Sequence, residues 1–425
     1  MLLSAPVDAP ADPFLLARAL EGRSSLVLAR SEAGRVTYLA CDPLEESHAL
    51  DPEPDRPLAP REHGEVPRWF GLLPYEARRS LERGATSDAR PSPQLVHPVW
   101  RRYGALLKIT HRVELLSTDA RAMLELRQAL HFGLRRLGGE AQPVRVSLLG
   151  KAEPGALHTE RIRRALDLIQ RGDIYQVNLA RRFELAVEGS AVALLDALAP
   201  GVLPSQAAAF DWPELRVAAA SPELFLATEA SGRASTTPIK GTRPRSPDAA
   251  LDQALARALD DDPKERAELA MVIDVERNDL GRLATPGSVR LARPPFVESH
   301  SSVHHRAATV EASLRTGVTR GELLEAMLPS GSVTGAPKIR AMEVIAELEP
   351  VRRGLYTGAF GLLREDGSLE LSMAIRTLSV KDGIGHFYVG GGIVADSEPE
   401  RELEETLWKA RGLIALAGGS TENWA

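Results

Sequence analysis

Two short acidic runs carry the first hint of chemistry. In DPKERAE, Glu265 and Glu268 stand three apart, and in SEPERELEETLWKAR, Glu402 and Glu405 do the same. On helices each pair would share a face. Either pair alone is an ordinary solvated surface, with Glu405 spaced to meet Lys409 four residues on. Brought together, the four carboxylates suit a hard, oxygen-seeking cation. Mg2+ takes one or two protein carboxylates and completes its shell with water and substrate oxygens. Spacing does not bring the helices together. Other runs offer further chemistry. Lys240 lies in PIKGTRPR, a Pro/Gly turn where a lysine is by itself a solvated charge. Arg376 falls inside the apolar strand pattern of MAIRTL. A buried guanidinium needs an anionic partner, and its planar fork suits a carboxylate. Gly390, Gly391 and Gly392 follow an apolar strand, where they allow close approach of another backbone or a ligand.

LPSGSVTGAPKIRAME sets small residues before a helix starting near Pro337. It lacks the order of a Walker loop, but its N–H groups at a helix start offer a place for an anionic group such as a carboxylate. HSSVHH puts His300 and His304 four apart, with Ser301 where a zinc protease carries glutamate and with no third ligand in view. One of its histidines is better suited to a hydrogen bond with substrate. No GxSxG elbow and no CxxC pair occurs. The single cysteine, Cys41, has no disulfide partner and reads as a small buried hydrophobe.

These residues need elements to hold them. LVLAR (26–30) and VTYLA (36–40) flank a turn at Gly34 as a hairpin. Residues 44–67 and 84–98, rich in Pro and charge, read as loops around WFGLLPYEARRSLER, a strand leading into a polar helix. A strand pair over 105–117 and a helix over 118–137 follow. Beyond a helix over 158–171, IYQVNLARRFEL, RVAAA and LFLATEA alternate as strands. Helices are expected over 248–259 and 263–276, the second capped by Asp262 with Pro263 in its first turn. LYTGAFGLL, LELSMAIRTLSV and HFYVGGGIVA are strands, and a last helix over 398–416 takes Ser397 as its cap. Hairpins with interspersed helices indicate an α+β fold, with an N-terminal region over 1–145 and a second region over 155–416 intertwined in one fold. At 425 residues, 44% hydrophobic and 26% charged, the chain can bury a sizeable core. A net charge of −6 without a basic block speaks against nucleic-acid binding. An N-terminus interrupted by Asp8 and Asp12 is no signal peptide. No run reaches the ~18 apolar residues of a membrane span. A cytoplasmic protein is expected.

Taken in order, GDIYQVNLARRF, SPELF, PIKGTRPR, ERAELAMVIDVERNDLGRL, VHH, GSVTGAPKIRAMEVIAELEP, YTGAFG, MAIRTL and GGGIVADSEPERELEETLWKAR resemble the chorismate-utilising enzymes. That family holds the first components of anthranilate and aminodeoxychorismate synthases, together with the isochorismate and salicylate synthases. The likeness is dense over residues 155–415 and looser in the N-terminal third. It implies a sandwich of largely antiparallel sheets with helices outside. Family members that add water at C2 carry a lysine base where this chain has Gln176, so the resemblance leads away from them. Anthranilate synthases usually carry alanine in PIAGT. Lys240 in PIKGT is similar to the branch that aminates C4 of chorismate, giving 4-amino-4-deoxychorismate for 4-aminobenzoate and folate. The alternatives are anthranilate synthesis on the same scaffold and a silent chorismate-binding subunit.

By the same resemblance, Mg2+ held by Glu268 and Glu405, with Glu265 and Glu402 nearby, grips the ring carboxylate. Glu223 is the general acid for the C4 hydroxyl, so burial or nearby carboxylates should raise its pKa. Lys240 attacks C2 as the neutral amine, and ammonia then adds at C4 and expels it. Tyr356, Arg376 and Lys409 bind the enolpyruvyl carboxylate. His305, Thr242 and the three glycines line the pocket, and Ser332 stands where many relatives have threonine. Cys41, in LACDPLE, is unlike the elbow of a glutamine amidotransferase, which implies a separate glutaminase subunit as ammonia donor.

Overall fold

Alternation along the strands builds the layers. In the strand Leu26–Ser31, Leu26 and Leu28 enter one hydrophobic cluster while Val27 and Ala29 enter another, the period of two of a strand buried on both faces. Gln206–Trp212 repeats the pattern, with Ala207 and Ala209 on the first side and Ala208 and Phe210 on the second. Across the interior, Phe70 and Leu72 of Pro67–Leu73 join that second cluster, and Trp69 and Leu73 turn away from it. The shared cluster therefore fills the space between two sheets. Helices Pro13–Ala19, Ala120–Arg136, Ala191–Leu198 and Pro399–Leu416 cover the outside of one sheet. Pro263–Gly281 and Arg320–Met327 cover the outside of the other.

This computed structural model describes residues 2–55, 59, 64–77, 90–137, 143–150, 152–300, 303–419 and 424. Among them the sheets contain twelve and ten strands, an α+β sandwich of antiparallel sheets. Strands from both sequence regions enter each sheet. Leu26–Ser31 pairs antiparallel with Gln206–Trp212, Val27 opposite Phe210. Pro67–Leu73 pairs antiparallel with Ala359–Arg364, Gly71 opposite Gly361. No described helix is long and apolar enough to cross a membrane.

Several expectations shift. LELSMAIRTLSV is two strands, not one. Leu369–Met373 belongs to the second sheet and Thr377–Lys381 to the first. The chain changes layer between them, with Arg376 at a φ of 49°. LYTGAFGLL becomes a strand only from Ala359. Within the expected loop 44–67, Glu45–Ser47 is an edge strand, held because Glu45 and Glu46 meet Arg102 and Arg101 of Val99–Arg102. Charge pairing, invisible to strand propensity, makes it. Asp262 caps Pro263–Gly281 by accepting from the Lys264 and Glu265 N–H groups. Ser397 does not cap the last helix; Glu398 occupies that position without a side-chain bond. The Ser397 hydroxyl is committed elsewhere, donating to Glu402 at 2.7 Å and accepting from the Val394 N–H. The polar helix expected after Tyr75, ending at Arg83, falls largely on residues 78–83, outside the described residues.

Candidate active site

The chain crosses between the sheets twice at one place. Leu215–Ser221 lies in the first sheet and Leu224–Thr228 in the second, so Pro222 and Glu223 form one crossing. Ala374–Arg376 forms the other. The crossings bond to each other, the Met373 N–H to the Glu223 carbonyl and the Ala220 N–H to the Arg376 carbonyl. Beside them opens a cavity of about 470 Å³ lined by Glu223, Lys240, His305, Tyr356, Arg376 and Lys409, among others.

A bulge aims Lys240. In the ladder between Ile239–Pro244 and Val303–Ser313, Lys240 faces Arg306 and Thr242 faces His305, leaving Gly241 as the extra residue. Gly241 has a φ of 76°, and a Cβ there would lie 2.7 Å from Leu259 and 2.8 Å from Glu265. Only glycine fits. Lys240 Nζ comes within 4.0 Å of Glu268, its side chain 11% exposed. At Gly392 a Cβ would stand 2.2 Å from Gln176 Nε2 and 3.5 Å from Lys240 Nζ. The bare backbone leaves room for the Gln176 amide, with the Lys240 amine next to it.

Burial sets the charges. Glu223 is pushed up to about 7 by loss of water, with the Ser332 hydroxyl at 2.8 Å working the other way. His305 falls to about 3 through burial and the neighbouring Arg376 charge, so its ring is neutral. Its Nδ1 lies 3.0 Å from Thr242 Oγ1, and its Nε2 has no partner among the described residues. Arg376 is lowered by burial and by Arg411. No described side chain forms an ion pair with it, which leaves the guanidinium for an anion in the cavity. Tyr356 is stacked on Tyr388 at 4.9 Å and 7°, and burial raises its hydroxyl to about 12. Lys409 donates to the Gly390 carbonyl and to Glu405, both at 2.7 Å.

The two acidic helices do meet. Glu265, Glu268, Glu402 and Glu405 all line the cavity. Burial raises Glu265 and Glu268 above the ordinary carboxylate value. Burial works to raise Glu405, but Lys409, Lys264 and Lys240 together outweigh it and hold it below the ordinary value. Lys264 stands among them, 3.7 Å from Glu402 and 4.0 Å from Glu268. Burial pulls its ammonium down, but the four carboxylates outweigh that and hold it above the usual lysine value. No three metal-ligating side chains converge among the described residues. An ion using one or two protein carboxylates needs no such triad, and the acidic, all-oxygen donor set fits Mg2+.

The comparison with known proteins falls on this architecture. A family described as chorismate binding enzyme matches residues 17–415. The chain belongs to the chorismate binding enzymes. It is 47% identical to anthranilate synthase component 1 of Thermus thermophilus over 258 residues, 60% of this chain and 55% of that one. It is 40% identical to aminodeoxychorismate synthase component 1 of Salmonella typhimurium over 255 residues, 60% of this chain and 56% of that one. The matched span is thus little more than half the length of these relatives. The crystal structure of anthranilate synthase component I from Streptococcus pneumoniae TIGR4 superposes with a TM-score of 0.71 at 28% identity, over 91% of this chain and 93% of that one.

In this chorismate binding enzyme the cavity gathers Thr242, Ser332, Gly390, Gly391 and the other named site residues. Gln176 is not on its wall; it is 1% exposed and packs against Gly392. Nor does the helix start near Pro337 line it. The wall is made by Ser332 and Val333 instead, and the loop's Gly331 N–H is taken by the protein's own Glu276. His304 faces away from the cavity-lining His305, as strand neighbours do, and is held by Ser299 and Asp252. Lys264, Tyr388 and Trp408 also line the cavity and escaped the sequence reading. Lys264 had one usable signal, its place four residues before Glu268.

Proposed function

We propose that this chain is the aminating component of an aminodeoxychorismate synthase, replacing the C4 hydroxyl of chorismate with an amino group. The observation that carries the reading is the Lys240 amine at the cavity, 11% exposed and seated over glycine backbone. The relative with the higher identity is an anthranilate synthase component, which makes anthranilate formation the second reading.

Each residue then has a task. Glu223 donates a proton to the C4 hydroxyl, which departs as water. The neutral Lys240 amine adds at C2 while both ring double bonds shift and the C4–O bond breaks. Ammonia adds at C4, both double bonds shift back, and the C2–N bond to Lys240 breaks. The proton lost by ammonia balances the one given to water. Arg376, Tyr356 and Lys409 orient the enolpyruvyl carboxylate, consistent with a guanidinium that has no ion-pair partner among the described residues. Neutral His305 offers a hydrogen bond through Nε2 without adding charge. Glu268 and Glu405 would hold Mg2+, with Glu265 and Glu402 beside them; such an ion polarises the ring carboxylate as a Lewis acid.

Ammonia has to come from a partner, a glutamine amidotransferase. The sequence has a single cysteine, Cys41, which is 6% exposed, and burial pushes its thiol up. A thiol held protonated is a poor glutaminase nucleophile. Free ammonium should replace the partner in vitro. Incubation with chorismate, Mg2+ and ammonium tests the reading: 4-amino-4-deoxychorismate supports it, and anthranilate with pyruvate refutes it.

A further inference from the structure

Glu276 has no task in the steps above, yet it sits at 0% exposure on Pro263–Gly281, linked to Glu223. Ser330 and Ser332 form the link. The contacts run from Glu276 Oε1 to Ser330 Oγ at 2.6 Å, Ser330 Oγ to Ser332 Oγ at 3.0 Å, and Ser332 Oγ to Glu223 Oε1 at 2.8 Å. Each O···O contact at this distance needs a hydrogen between its oxygens. A serine hydroxyl carries one, so two serines supply two. The third must sit on a carboxyl.

Counting hydrogens fixes the charge state. With both carboxyls ionised, both serines donate outward and their oxygens face each other with nothing between. With both protonated, one carboxyl hydrogen has no place in the chain. A single proton, at either end, satisfies all three contacts. We infer that Glu276 and Glu223 share one proton through Ser330 and Ser332, and that Glu276 is a positioning residue holding the acid in its protonated form.

The two arrangements interconvert by moving three hydrogens one link each. Three O–H bonds break, three form, and the negative charge passes from one carboxyl to the other. Surroundings support charge at both ends. Glu276 accepts the Gly331 N–H at 2.9 Å and faces Lys338 and Asp279, which pair at 2.6 Å. Glu223 faces Lys240 and Arg376. Burial pushes both carboxyls up to about 7, and the Glu276 charge contributes to the rise at Glu223. Glu223's proton, once given to the departing hydroxyl, is replaced by the one that ammonia releases at C4.

The inference rests on the reading of Glu223 as the acid, so its test begins without substrate. Infrared titration of the resting protein follows the protonated-carboxyl band with pH. Glu276→Gln removes one charge of the pair, and the midpoint for loss of the Glu223 proton should fall by about one pH unit or more. Ser330→Ala keeps both carboxyls and cuts the link, so the band should change frequency. An unmoved midpoint in Glu276→Gln overturns the sharing; if that variant does not fold, an unchanged band in Ser330→Ala does so alone. The alkaline fall of kcat should follow the infrared midpoint. A midpoint that moves while kcat keeps its profile upholds the sharing and removes Glu223 from the acid role.

Discussion

Glu223→Gln isolates the acid step with the least disturbance of shape. The carboxyl is 4% exposed, and burial pushes it up to about 7 from an ordinary 4.5. At pH 7 about half of it carries the proton, against roughly 0.3% for an unperturbed carboxyl, so burial supplies roughly 150-fold more acid. A general acid contributes about 10²–10⁴ in rate. Glutamine keeps the volume and can accept the Ser332 hydroxyl, but has no proton to give. The expected result is a fall in kcat of that size with KM changed by less than about threefold. The sign of the pH effect also follows. The protonated form is the active one, so wild-type kcat should decline as pH rises through about 7, and that limb should vanish in the variant. Initial rates with chorismate, Mg2+ and ammonium, at a fixed concentration of free ammonia, read both. A variant within about tenfold of wild type, or one that keeps the limb, would refute the acid role.

Lys240→Ala should abolish the covalent adduct that intact-mass measurement detects with chorismate; an adduct that survives, or maps to another lysine, contradicts the nucleophile assignment. Glu268→Gln or Glu405→Gln should weaken the dependence on Mg2+ together with turnover, and an unchanged Mg2+ titration would refute their role. Arg353 and Glu349, 1% and 3% exposed and paired at 2.6 Å, tie together the walls around Tyr356, since Arg353 also binds the Asn178 and Val333 carbonyls. Arg353→Met strands a buried carboxylate and should cost about 3–5 kcal/mol in denaturant unfolding; a loss below about 1 kcal/mol would contradict that picture.

Much of this architecture was legible in the chain. Period-two alternation marked Gln176–Glu188 and the hairpin of Leu26–Ser31 with Val36–Ala40, and Asp262 before Pro263 marked a helix start. The motif residues around Lys240 and the two acidic helices arrive at one cavity. What stayed hidden depends on tertiary placement. MAIRTL has the same apolar texture whether it continues one strand or crosses between sheets, so Arg376 read as a strand residue. Ser397 has the right type for a cap, and only the position of Glu402 diverts it. Spacing describes each helix face but not its rotation, so Lys264 among the carboxylates was not foreseen. Glu276 likewise looked like one more polar residue in VERND, because its partners Ser330 and Ser332 lie more than fifty residues away.

Product identity tests the central claim most directly. The chain is incubated with chorismate, Mg2+ and ammonium, and the product is identified by mass while pyruvate is assayed in parallel. Amination at C4 predicts 4-amino-4-deoxychorismate with its enolpyruvyl group intact and no pyruvate released. Anthranilate accompanied by an equal amount of pyruvate would contradict the account and assign Lys240 a different task.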